Sequence, residues 1–511
     1  MSEDKTTPAP SSEKGRLESA FKDGGFNACI EAIQEEIRTL YLDDDVPWIL
    51  GYSGGKDSTA TLQLIWTAIA ALPVEKRKKP IHVVSTDTLV ENPVVASWVE
   101  HSLKVMKQAS DDQKMPIRPH RLTPTVSDSF WVNLIGKGYP APRHKFRWCT
   151  ERLKIRPSNA FIMSVVKQSR EAILLLGARK QESNARAKVL ARNEKFRARD
   201  RLSPNSTMSG CMVYTPIEDW SNDDVWTYLT SDENPWGHNN KDLLGMYAGA
   251  SADGECPLVV DTSTPSCGDS RFGCWVCTLV EEDKSMSAMV RNDHEKKWMK
   301  PMLDLRNALD FRKNPEHKDH LLRDFRRMGG SVTMLNGEPV PGPYTQSSRE
   351  NWLRLLLKAQ SEARRLGPEE VKKLELITLP ELHEIRRIWV TEKHELEDNL
   401  PVIFKEMTGQ DFPGIRMDDS LGLKPEDFAA LKEACEGDQN RYEMIRDLIG
   451  AENNVRHSAR RTGLMDEIDD IMKKHLFGSR EEAKDFYLNL GLGGFKIEEG
   501  EEPKSPGQPI A

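Results

Sequence analysis

Three short apolar runs punctuate the first half of the chain: 46–51 (VPWILG), 81–86 (IHVVST) and 172–177 (AILLLG). Each is too short for a helix and rich in aliphatic residues, which predicts a strand buried on both faces. Between them, 59–72 and 92–107 carry helix-like patterns. The alternation from about residue 25 to 230 predicts an α/β fold, a doubly wound and mostly parallel sheet. The polar stretch 193–212, with Pro204, Asn205, Ser206 and Gly210, reads as a mobile loop. Residues 232–280 are rich in Gly, Pro, Cys and Asp, and predict an irregular segment held by a metal. A breaker-rich stretch at 329–343 sets a boundary. Beyond it 349–366, 381–397 and 425–450 are amphipathic helix candidates. The expected division is therefore 1–20 disordered, 21–230 α/β domain, 231–330 Cys-rich segment, 345–495 helical region and 496–511 disordered tail.

The first apolar run leads directly into Ser53-Gly54-Gly55-Lys56-Asp57-Ser58 and then into a helix. Strand, glycine turn and helix N-terminus together form a phosphate cradle. Gly54 and Gly55 permit close backbone approach, and the N–H groups present partial positive charge to an anion. Ser53 and Ser58 offer hydroxyl donors, Lys56 a charge, and Asp57 a carboxylate for Mg²⁺. A Walker A loop needs G-x-x-x-x-G-K-[ST]. Here Leu50 holds the first glycine position and Asp57 follows Lys56, so that reading fails. Asp87-Thr88 and Gly177-Ala178-Arg179 follow the other two apolar runs, and strand carboxyl ends share one crevice in such sheets.

The 511 residues are 38% hydrophobic and 30% charged, without an 18-residue apolar run, which predicts a soluble, cytoplasmic protein of two or more domains. The polar N-terminus is not a signal peptide, so disulfides are not expected among the eight cysteines. The net charge of −8 leaves nucleic-acid binding to local patches. Cys256, Cys267, Cys274 and Cys277 have the spacing C-x₁₀-C-x₆-C-x₂-C, a ligand set for a [4Fe–4S] cluster or for zinc. The long asymmetric spacers lean toward iron–sulfur. Cys149 stands apart among cations (RHKFRWCTERLKIR), which would depress its thiol pKa. It reads as a sulfur carrier, a structural cysteine or a further cluster ligand. The basic stretch Arg179, Lys180, Arg186, Lys188, Arg192, Lys195, Arg197, Arg199 and Arg201 reads as phosphate contact beside the crevice.

These pieces resemble the PAPS reductase-like branch of the PP-loop ATP pyrophosphatases. They are SGGKDS at 53–58, Asp87-Thr88, R-W-C-T-x-x-L-K-I-x-P at 147–157, G-x-R-x-x-E-S at 177–183, and Pro216 to Trp220 with Asp224-Val225-Trp226. Within that branch the likeness is closest to the DndC family of DNA sulfur-modification proteins. The resemblance implies an adenine nucleotide alpha hydrolase fold binding ATP and Mg²⁺ through Ser53, Gly54, Gly55, Lys56, Asp57, Ser58, Asp87 and Arg179. Lys56, Asp57, Cys149 and Arg179 would then be catalytic, in DNA phosphorothioation. A cysteine desulfurase would donate sulfur, and other DNA sulfur-modification proteins would be partners. The competing readings are a sulfonucleotide reductase, a tRNA thiolase and a non-catalytic assembly subunit.

Overall fold

The structure, a computed structural model, describes residues 19–197, 201–205, 207–250, 273–312, 319–414, 423–456 and 461–490. Its first part runs α1 (Phe26–Asp43), β1 (Trp48–Gly51), α2 (Lys56–Ala70), β2 (Ile81–Thr86), α3 (Pro93–Asp112), β3 (Ile117–Leu122), α4 (Arg156–Ser169) and β4 (Ala172–Leu175). It continues through α5 (Asn184–Glu194), β5 (Ser203–Pro204), β6 (Cys211–Tyr214), α6 (Asn222–Ser231) and α7 (Asn240–Gly249). The sheet order is β3-β2-β1-β4-β6-β5. Every pairing is parallel except β5 with β6. Trp48 lies opposite both Ile81 and Ile173, so β1 is central. The chain winds outward from β1 in one direction to β3, and from β4 in the other to β6. The crevice between β1 and β4 is thus the topological switch point, where open α/β sheets bind ligands.

Side-chain alternation divides the sheet between two cores. Trp48, Leu50, Ile81, Val83, Ile173 and Leu175 pack with Ile37 of α1, Leu62 and Ile65 of α2 and Trp226 of α6. Ile49, Val84 and Leu174 face the other way, onto Ile162 and Val165 of α4. Helix α3 begins at Pro93 because Asn92 Oδ1 accepts from Val94 N at 3.0 Å and proline tolerates the first helical position.

A separate core gathers residues 130–153, 275–309 and 344–403. It holds Trp131, Trp148, Trp275, Trp298, Trp352 and Trp389, all buried. Each such ring removes on the order of 200 Å² from water, roughly 5 kcal/mol of transfer energy before entropy is counted. Trp131 Nε1 donates to Leu376 O at 2.8 Å, and Trp389 Nε1 donates to Ile135 O at 2.9 Å. These bonds tie the loop after β3 to the C-terminal helices. The Cys-rich segment enters the same core through Trp275, Val276 and two helices, α8 (Lys284–Asn292) and α9 (Lys300–Leu309).

Several expectations are corrected. Strands β3 and β6 add to the three foreseen, while the described residues of 193–212 are mostly turn, as read from sequence, with the end of α5, the short β5 and the start of β6 among them. The described part of 232–280 includes α7, while 251–272 lies outside the described residues. The helix expected at 381–397 stops at Arg387 and continues as a wide π-type turn, Ile388–Glu392. The disordered ends read from sequence fall outside the described residues, Ser19 and Ala20 apart. Among the described residues no helix is long and apolar enough to cross a membrane.

Candidate active site

Strand β1 ends at Gly51, and Tyr52 N extends its ladder by donating to Val84 O at 2.8 Å. The chain then turns through Ser53-Gly54-Gly55 into the N-terminus of α2. Gly54 has φ +72°, and a Cβ there would lie 2.5 Å from Val99 Cγ2. Trp98 Nε1 holds the same peptide by donating to Gly54 O at 3.2 Å. The position therefore requires glycine for both conformation and space. Ser58 Oγ accepts from Ser53 N at 3.2 Å, donates to Gly55 O at 3.0 Å and lies 3.1 Å from Ser53 Oγ. The two serines brace the loop.

Asp57 is the electrostatic centre. Its carboxylate receives Lys56 Nζ at 2.9 and 3.0 Å and Arg179 Nε at 2.7 Å. Arg179 is 4% exposed and also donates from Nη1 to Trp220 O at 3.3 Å. Burial pulls the Lys56 ammonium below its usual pKa, partly offset by Asp57 and reinforced by Arg179. Gly177 lets β4 and α2 meet, since a Cβ there would sit 2.7 Å from Asp57 O. Asp87, after β2, accepts from Leu89 N at 2.7 Å and from Arg121 Nε at 3.1 Å. Ser53, Gly54, Gly55, Lys56, Asp57, Asp87 and Arg179 all line one cavity of about 1000 Å³. Ser58 lies behind the loop.

The basic stretch beyond Arg179 is mostly matched by carboxylates. Lys180 pairs with Asp219 at 2.6 Å and with Glu194. Arg197 pairs with Glu218, Arg201 with Glu36 at 3.2 Å, and Arg186 with Glu182 at 2.9 Å. Arg186 also reaches the cavity wall, whereas Arg199 lies outside the described residues.

The thiols adjoin this cavity. Residues 273–275 lie antiparallel to 90–92, with Trp275 N donating to Val90 O at 3.0 Å. Cys274 Sγ thereby comes 3.3 Å from Thr88 Oγ1 and 3.9 Å from Glu91 Oε1. Lys154 Nζ lies 3.5 Å from the same carboxylate oxygen, and Glu91 and Lys154 both line the cavity. Burial, then the Glu91 charge, pushes the Cys274 thiol up to about 12. Cys277 N donates to Cys274 O at 3.0 Å, closing the C-x₂-C turn. Cys256 and Cys267 lie outside the described residues. Two thiols on one turn, with Cys149 near enough to feel the charge of Cys277, fit a thiolate-bound metal or cluster. The expected depression of the Cys149 pKa is overturned, because burial raises it first and Cys277 adds to the rise. Of the cations counted in sequence, Arg152 and Arg156 are drawn away to Asp128, at 2.7 and 3.0 Å.

Residues 47–238 match the phosphoadenosine phosphosulfate reductase domain. The match takes in β1 to α6, with the glycine loop, Asp87, Cys149 and Arg179. An uncharacterized protein of Methanocaldococcus jannaschii is 26% identical over 264 residues, which cover 52% of this chain and 42% of the relative. The matched segment thus spans less than half of that relative's length. Cys274 and Cys277 lie beyond the reductase-type domain and join it through Thr88 and Glu91. Glu91, Trp98 and Lys154 escaped the sequence reading. Lys154 carried a signal, inside the R-W-C-T-x-x-L-K segment, but Trp98 sits on α3 with nothing local to mark it.

Proposed function

We propose that this chain is an ATP pyrophosphatase and sulfurtransferase that activates a DNA backbone phosphate oxygen for replacement by sulfur. The observation that carries the reading is Glu91, which lines the nucleotide cavity and touches Cys274. An activating cleft and a thiol cluster thereby share a wall. ATP would lie on the glycine loop, with Lys56 and Arg179 turning from Asp57 to the phosphates. Asp57 would then hold Mg²⁺ beside phosphate oxygens. A DNA phosphate oxygen attacks the α-phosphorus, and pyrophosphate leaves with the bonding pair. The terminal sulfur of a protein persulfide next attacks the adenylated DNA phosphorus, and AMP departs. A second thiolate then attacks the cysteine sulfur of the P–S–S–Cys link; that S–S bond breaks with its electron pair on the sulfur bonded to phosphorus, leaving phosphorothioate on DNA and a protein disulfide that a thiol reductant reopens. The buried cations supply proximity and charge compensation. The cysteine set would hold a [4Fe–4S] cluster, or zinc, that organises the thiol side. A cysteine desulfurase is the proposed sulfur source, and other DNA sulfur-modification proteins are proposed partners.

The domain match favours sulfonucleotide reduction as a second reading. Nuclease digests of host DNA and tRNA, with and without the gene, separate the possibilities by mass spectrometry. Loss of phosphorothioate dinucleotides from DNA is the expected result. Loss of thionucleosides from tRNA with DNA unchanged would assign a tRNA thiolase. No change in either would leave sulfonucleotide reduction.

A further inference from the structure

Between Ala141 and Trp148, both buried, the chain projects a tight hairpin. Arg143 N donates to Phe146 O at 3.2 Å and Phe146 N to Arg143 O at 2.8 Å, so His144 and Lys145 form its tip. His144, Lys145, Phe146 and Arg147 are all exposed, the Phe146 ring 43% so, with Tyr139 as its ring neighbour at 6.1 Å. The base is anchored on both sides. Trp148 Nε1 donates to Pro140 O at 2.9 Å, and Thr278 Oγ1 donates to Pro142 O at 2.7 Å. One stem therefore leads to Cys149, and the other is bonded to the residue after Cys277.

Charge pairing separates this hairpin from the surrounding cations. Arg121, Arg152, Lys154, Arg156, Arg179 and Arg186 each have a carboxylate partner. Among the described residues Lys145 has none, and Arg147 contacts only His144 Nδ1, at 3.2 Å. Two uncompensated cations and an exposed aromatic ring thus stand on a turn whose stems are anchored beside Cys149 and Cys277. Cations bind phosphodiesters, and aromatic faces stack on unpaired bases.

We propose that the 143–147 hairpin is a nucleic-acid contact: Lys145 and Arg147 bind backbone phosphates, and Phe146 stacks on a base beside the thiol cluster. The inference rests on the DNA-modification reading and names the surface that delivers the strand. A phosphodiester backbone could come from DNA or RNA, so the test uses both.

Binding of the full chain to a fluorescein-labelled DNA duplex, its single strand and the matching RNA is followed by anisotropy across a salt series. Lys145→Gln with Arg147→Gln should weaken binding about tenfold or more and reduce the log–log salt slope by about 1.8, near 0.9 per lost phosphate contact. Phe146→Ala should weaken single-strand binding about tenfold while affecting duplex binding less. Lys145→Arg with Arg147→Lys should retain both affinity and slope, and ATP affinity at the separate cleft reports that each variant is folded. An unchanged slope in the double glutamine variant, or no binding of any probe by the native chain, overturns the proposal. Preference for RNA over both DNA probes would keep the hairpin contact and reject the DNA reading. Phosphorothioates that persist undiminished in cells carrying the double glutamine variant would reject the hairpin and leave the DNA reading intact.

Discussion

The glycine-loop cleft and the thiol cluster are neighbours built on opposite plans. The cleft is assembled from strand ends of one sheet, and its charges are already paired: Asp57 is held by Lys56 and Arg179, and Asp87 by Arg121. The thiol cluster draws Cys149 and Cys274 from distant parts of the chain, joined by a tryptophan-rich core. Its sulfurs are desolvated rather than compensated, since burial raises both Cys149 and Cys274. In the cleft an arriving anion must exchange one ion pair for another, since both cations already hold Asp57. A buried thiol pair gains most from a partner that takes thiolates, which a metal does.

The comparison is most severely tested at Asp57. Asp57→Ala should lower the rate of pyrophosphate release by roughly 10²–10³-fold, the scale of losing one preorganised electrostatic group. Iron or zinc content should remain unchanged by elemental analysis, and loss of both would show that the two regions are one cooperative site. The reverse experiment is Cys274→Ala, expected to strip most of the metal while nucleotide affinity, measured calorimetrically, stays within about twofold. Gly54→Ala comes next. Forcing φ +72° on an alanine that also meets Val99 should cost about 1–3 kcal/mol. Chemical denaturation would read that loss, together with weaker nucleotide binding.

A smaller effect concerns acid. Burial, then the neighbouring His120, pulls His82 down to about 4, and burial followed by His101 does the same to His238. The unfolded imidazoles titrate near 6.5. Between those values the unfolded chain binds protons that the folded chain refuses, so stability falls as pH drops through this window. Above about 6.5 neither state differs, and these groups give no slope. Urea midpoints at about pH 7 and pH 5 would read the decline, and a flat profile would contradict the burial of these rings.

Much of the cleft was legible because its information is local. The runs at 46–51, 81–86 and 172–177 are short and mostly aliphatic, as strands buried on both faces are, and the glycine loop sits between one of them and its helix. Strand β3 reads IRPHRL and hides few of its side chains, as an edge strand can, so periodicity passed over it. The charge state at Cys149 was misread because sequence counts cations without showing their partners. Asp128 lies more than twenty residues from the two arginines it binds, and that distance is invisible to spacing. The likeness of the glycine loop to PP-loop enzymes agrees with the family match, whereas DNA as substrate rests on resemblance and on the adjacency at Glu91.

The bridge from Lys56 through Asp57 to Arg179 also sets a threshold for occupancy. An arriving ligand must outcompete a carboxylate already gripped at 2.7 Å by a buried guanidinium. A nucleotide with one phosphate brings about two negative charges, while a triphosphate brings roughly twice that, several oxygens at once, and a metal to receive the displaced carboxylate. On the proposed ATP reading, the cleft would therefore count charge, favouring the triphosphate over the mononucleotide it becomes.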